Sequence, residues 1–251
     1  NTSKYQDGEL IKDPEEFTNI EIVKEYYIGA KIKSELTYVN GVPNGIYREY
    51  SINGKITGSK IYKNGIVLGE GIMDKKGKKQ DIWKEYYLSV NGKNIGTGKL
   101  KAEGMYKNNK RTGDWIFYHE NGVIEQKGKY IKGNPEGMWK WYYESGNLLR
   151  EEYFERGIEN GYSVEYSDSG AVITKGEFVD GEKEGPWFYK VGDHKEEGVY
   201  KSGRREGIWK YYYDNGVLSF EGEFIDGNPN ERHRHYYSRL GWKHLGADSY
   251  M

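Results

Sequence analysis

The 251-residue chain has no cysteine, which excludes disulfides, thiolate nucleophiles and thiolate metal ligands together. Long aliphatic runs are also missing, and no stretch approaches the roughly 18 apolar residues of a membrane-spanning helix. Phenylalanine is scarce, at 7 residues, so an ordinary packed core is not available from this composition. Neither sign of charge is in excess: 38 basic residues stand against 39 acidic ones, a net of −1. That balance removes any general drive toward nucleic acid, which is therefore not an expected partner.

What the chain does have is glycine and tyrosine, 35 and 25 residues. Such a sequence buries ring faces in place of Leu and Ile side chains. The stretch 207–230, GIWKYYYDNGVLSFEGEFIDGNPN, shows how. Two short aromatic runs flank Asp214-Asn215-Gly216, and a second turn signal, Asp226-Gly227, comes after them. Asn215-Gly216 predicts a type I′ turn, so the unit is a β-hairpin and the turn into the next.

The unit repeats. Starts of the Gly-x-Trp kind fall at Gly113, Gly137, Gly161, Gly185 and Gly207, and related starts at Glu21, Gly45 and Asp81. A degraded copy begins at Glu231, which gives roughly nine units, complete or partial. The period breaks across residues 69–112, where a spare strand and turn (69–80) and an extended hairpin near residues 91–101 intervene. Residues 1–20 read as a leader or cap, with a helix start or a plain loop at Asp13-Pro14-Glu15-Glu16. Residues 21–237 are the repeat tract and 238–251 a tail or cap.

Side chains alternate across a sheet, so each first strand has two registers. One carries Trp139 and Trp141, or Trp209, Tyr211 and Tyr213. The other carries a sixth-position tyrosine, as at Tyr50, Tyr86, Tyr142, Tyr166 and Tyr212. Return strands carry a recurring aromatic, as at Tyr130, Phe154, Phe178, Tyr200 and Phe224. Both registers are expected to stack as ring ladders across the strands.

The pattern Gly-x-Trp-x-x-Tyr-Tyr, then x-x-Gly, then Glu-Gly-x-Phe/Tyr-x-x-Gly resembles the MORN repeat, in its bacterial variant form. The resemblance covers about residues 21–237, with Val23, Ser163 and Lys190 departing from it. It implies an all-β, elongated, single-layer antiparallel sheet of tandem hairpins without a conventional globular core. It also implies a non-catalytic role in protein–protein contact or scaffolding. The antitoxin label attached to such variants is not a mechanism.

Candidate chemistry is thin. His233 and His235 share one face of a strand, with His244 nearby, and form a weak metal candidate; the register alternatively gives them the Trp and Tyr positions of a decayed repeat. Arg232, Arg234, Arg239 and Lys243 make that end basic, for edge protection or for an anion or lipid headgroup. Glu25, Glu49, Glu85 and Glu165 recur at the fifth position, where pairing with cross-strand cations is the expectation over acid–base catalysis. Asp193-His194 has no nucleophile elbow, and Gly96-Thr97-Gly98 lacks a nucleotide-binding context. No catalytic residue, metal or cofactor is assigned, and the chain is not expected to be an enzyme.

The aromatic strip of Trp139, Trp141, Trp187, Tyr189, Trp209, Tyr211 and Tyr213 is the candidate partner-binding surface, because a single-layer sheet leaves ring area exposed. The leading expectation is a repeat scaffold that binds a protein through an extended aromatic and charged face. The alternatives are a carbohydrate-binding or a lipid-headgroup-binding surface. Membrane contact is weakly supported, and open sheet ends suggest end-to-end self-association. The first residue is not methionine, so an exported or envelope location is the expectation.

Overall fold

The computed structural model describes residues 4–6, 9–11, 19–88 and 98–236, all strand or turn with no helix among them. The helix start at Asp13-Pro14 lies outside the described residues, as does most of the extended hairpin. The chain forms two units, Asn1–Asn109 and Lys110–Met251.

In the first unit, β1 (Lys4–Gln6) and β2 (Glu9–Ile11) pair with each other. The main sheet there comprises β3 (Ile20–Tyr26), β4 (Ile32–Val39), β5 (Val42–Pro43), β6 (Gly45–Tyr50), β7 (Ile56–Lys63), β8 (Ile66–Met73), β9 (Lys79–Tyr86) and β10 (Leu100–Lys107). Pairing is antiparallel throughout, and β5 and β6 both lie on β4.

The second unit is more regular. It comprises β11 (Lys110–Tyr118), β12 (Ile124–Ile131), β13 (Asn134–Tyr142), β14 (Leu148–Glu155), β15 (Ile158–Tyr166), β16 (Val172–Val179), β17 (Glu182–Val191), β18 (His194–Lys201), β19 (Arg204–Tyr213), β20 (Leu218–Ile225) and β21 (Asn228–His235). Each strand pairs antiparallel with the next in sequence. Both units are therefore open single-layer sheets of tandem hairpins, the all-β architecture that the period predicts.

Two kinds of turn alternate, and their roles are the reverse of those the dipeptides suggest. The two-residue turns, such as Asp226-Gly227 with φ of 51° and 82°, have positive φ at both positions. They are the type I′ turns that suit twisted strands. At Asp214-Asn215-Gly216 only Gly216 has positive φ, at 80°. There the Gly216 N–H donates to the Tyr213 carbonyl at 2.8 Å, and the register slips between Tyr211 and Tyr212. This is a type I turn closed by a glycine bulge. The Asn215 side chain accepts the Val217 N–H at 3.0 Å, which holds the asparagine within the turn rather than at its left-handed corner.

The broken period has a simple geometry. First strands open at Gly45 and Asp81, 36 residues apart, one and a half times the usual 24. The extra half is the lone strand β8. Since β7, β8 and β9 each run antiparallel to the strand before, β9 runs opposite to β6.

Candidate interaction surface

The third-position tryptophans lie across glycines. In the second unit Trp139, Trp187 and Trp209 sit over Gly128, Gly176 and Gly198 of the preceding return strand, and a Cβ on any of these glycines would overlap the indole. Gly71 meets Trp83 in the same way in the first unit. The return-strand aromatics meet the indoles edge-on: Tyr130 with Trp139 at 4.9 Å, Phe178 with Trp187 at 5.1 Å, and Tyr200 with Trp209 at 5.1 Å. On this face the expected ring ladder is present.

A cation closes it from above. Arg205 stands 4.1 Å over Trp209 and donates to the Tyr211 hydroxyl at 2.6 Å. Lys183 stands 4.5 Å over Trp187 and donates to the Tyr189 hydroxyl at 2.7 Å. Lys79 stands 4.8 Å over Trp83 and binds Glu85 at 2.6 Å. One rule covers all three: a cation at position i covers the indole at i+4 and donates to an acceptor at i+6. The cation–π attraction and the packed side-chain stem replace a second protein layer. Burial and the Tyr200 hydroxyl raise the Tyr189 phenol well above its ordinary range, so it remains a neutral hydroxyl.

In the second unit one repeat breaks the rule throughout. Ser163 stands where the tryptophan belongs, Glu152 where its glycine belongs, and Glu159 where the covering cation belongs. Ser163 donates to Glu152 at 3.2 Å, and both are buried. Burial pushes the Glu152 carboxyl up, opposed by Arg150, whose Nε lies 3.9 Å away.

The opposite face uses another chemistry. There the sixth-position tyrosines Tyr50, Tyr86, Tyr212 and Tyr236 engage carboxylates rather than the expected ring ladder. Their hydroxyls donate to a glutamate fifteen residues earlier, or sixteen at Tyr86: Tyr50 to Glu35 at 2.5 Å, Tyr86 to Glu70 at 2.6 Å, Tyr212 to Glu197 at 2.8 Å and Tyr236 to Glu221 at 2.9 Å. A charge-assisted bond to a carboxylate is stronger than ring contact at an exposed surface. Burial and the hydrogen bond to Glu197 push the Tyr212 phenol up to about 12, while the Tyr86 hydroxyl holds Glu70 below its usual range. Tyr142 has Lys127 at that spacing instead, with the ammonium 5.4 Å over its ring.

This face has no buried indole row, and its cations, Lys127 over Tyr142 and Lys175 over Phe188, stand farther from their rings, at 5.4 and 5.7 Å. Tyr162, Pro186, Val199 and Ile208 lie on it, with Tyr162 49%, Val199 43% and Ile208 48% exposed. With Phe188 they line a trough of about 760 Å³ running across β15 to β19, rimmed by Lys175, Glu177, Glu197 and Lys210.

The expected aromatic strip falls on the covered face instead. Trp139, Trp187 and Trp209 are buried, at most 3% exposed, so they are structural rungs and present no free ring. Trp141, Tyr189 and Tyr211 are half-buried, and only Tyr213 of that set is exposed. The three buried indoles present no free face for a ligand to stack on. Of the fifth-position glutamates, Glu25 finds the expected cross-strand cation, 3.7 Å from Lys33, whereas Glu85 pairs along its own strand with Lys79.

At the C-terminal end the His235 ring packs on Phe220 at 4.8 Å, and His233 is in register with Gly222, the tryptophan position of the lattice. The His233 and Arg232 side chains lie outside the described residues, as do Arg239, Lys243 and His244. Among the described residues no three metal-ligating side chains cluster. Arg234 lies 3.7 Å from Glu221, and His194 2.5 Å from Asp193.

The covering cations and the bare trough both escaped the reading of the sequence. The cation four residues before Trp83, Trp115, Trp187 and Trp209 was a legible signal for the first. Residues 111–132, 135–156 and 205–226 each match the family model described as MORN repeat variant. No curated protein matches the chain at a significant level.

Proposed function

We propose that this MORN-repeat protein is a non-enzymatic scaffold that binds another polypeptide through the face opposite its tryptophans. The observation that carries the reading is the trough of β15–β19, where Tyr162, Pro186, Val199 and Ile208 stand exposed side by side. A contiguous apolar floor within a charged rim is the anatomy of a protein interface, since burying it gains solvent entropy while the rim fixes orientation. The tryptophan face is already covered by its own cations, so it has less to gain.

The test compares photo-crosslinked partners of the wild-type chain with those of Ile208→Glu and Val199→Glu. Both side chains are exposed, so the fold tolerates the change. Loss of the same partner in both variants supports the reading, and undiminished capture by both refutes it.

A further inference from the structure

We infer that the occupant of this trough is the same face of a second copy of the chain. The inference rests on the proposal that the face binds polypeptide, and the first argument is spacing. Met138, Tyr162, Pro186 and Ile208 occupy the second position of β13, β15, β17 and β19, alternate strands of one sheet. Strands about 4.8 Å apart put these side chains about 9.6 Å apart. An α-helix laid across them presents one face every seven residues, about 10.5 Å, and drifts by nearly 3 Å over three steps. A second copy has the same spacing and does not drift. It also has the same hand of twist, the condition under which two sheets stack face to face with their strand directions within about 30° of each other.

Charge selects the placement. Lys175 and Glu197 lie on β16 and β18, each in register with Phe188 on β17 between them. A two-fold axis along β17 puts Lys175 of one copy against Glu197 of the other, twice. It also puts Phe188 and Pro186 against their own equivalents, and Tyr162 against Ile208. Lys175 makes no ion pair within its own chain among the described residues, although its ammonium rests 5.7 Å over Phe188. An exposed lysine without a carboxylate, one strand away from the rows that pair internally, fits a partner carboxylate.

The area sets the strength. Five strands of about eight residues cover roughly 500 Å² a side, about 1,000 Å² in all, the lower bound of a specific interface. The dimer is therefore weak and concentration-dependent.

Sedimentation equilibrium of the full chain from micromolar to millimolar concentration reads it directly. Wild type dimerises; Lys175→Glu sets Glu against Glu and weakens the dimer at least tenfold; Lys175→Glu with Glu197→Lys restores it. Because the chain has no cysteine, Pro186→Cys on the axis gives a disulfide-linked dimer on oxidation, whereas Tyr213→Cys on the other face does not. A strict monomer at all concentrations overturns the inference, as does a dimer indifferent to both charge variants. If the monomer still loses its crosslinked partner in Ile208→Glu, the scaffold reading stands and the occupant is another protein.

Discussion

The repeat led by Trp209 and the repeat led by Ser163 share one backbone and almost nothing else. In the first, an indole lies on Gly198 and beneath Arg205. In the second, a hydroxyl bonds Glu152, and Glu159 stands where the cation would be. The differences are related. Without an indole there is no ring to attract a cation, and without an indole the glycine has no reason to be bare. The lattice therefore fixes strand register through its turns, and the indole and its glycine change together. The cation is separable: Pro135 stands four residues before Trp139, which still lies on Gly128.

The largest effect expected is at Trp209. Trp209→Ala removes a fully buried ring and leaves a cavity, a loss of about 3–5 kcal/mol. Urea denaturation monitored by circular dichroism reads it, and an unchanged midpoint would mean that the rung is not structural. Next comes the graft. Ser163→Trp alone drives an indole onto Glu152 and costs about 1–3 kcal/mol. Adding Glu152→Gly restores the indole–glycine pair and recovers the loss. Simple additivity of the two substitutions would break the comparison.

A smaller change is expected at the lid. Arg205→Met keeps the stem and removes the charge over Trp209, costing about 1 kcal/mol. Neighbouring Arg204→Met, which removes only an exposed pair with Asp226, leaves the midpoint unchanged. Equal losses at both positions would count against the lid.

The smallest effect is a pH slope. Burial raises the Glu152 carboxyl above its unfolded value, so the folded chain binds that proton more tightly than the unfolded chain. The resulting stabilisation is complete below the unfolded carboxylate range, near about pH 4.3, and is lost as pH rises through the raised value. Glu152→Gln is thus more stable than wild type at neutral pH, and the gap narrows in acid. A gap independent of pH would contradict the assignment.

Much of the architecture was legible in the residues. The 24-residue recurrence of Gly-x-Trp and the return-strand aromatics define the hairpins, the register and one ring ladder. The turn types were harder, because Asn215-Gly216 and Asp226-Gly227 carry nearly the same chemistry and differ in the length of loop around them. The sixth-position tyrosines looked like ladder rings because their acceptors lie far back in sequence on a neighbouring strand, as Glu197 does for Tyr212, fifteen residues away. Trp139, Trp187 and Trp209 looked available because composition does not say which face is covered. That depended on the residues before each repeat, Lys183 and Arg205 among them, which read as turn charges.

The odd strand β8 has one more implication. Duplicating or deleting a whole repeat adds or removes strands in pairs, so every later strand keeps its direction. The lone strand β8 (Ile66–Met73) adds one, and within the first unit β9 and β10 after it run the other way. In an alternating ribbon this is a parity change, like a missed stitch that turns the remaining rows around. No number of whole-repeat edits can create it or repair it. Excising a half repeat is the operation that would set β9 running with β6, and its hairpin ends would then change sides.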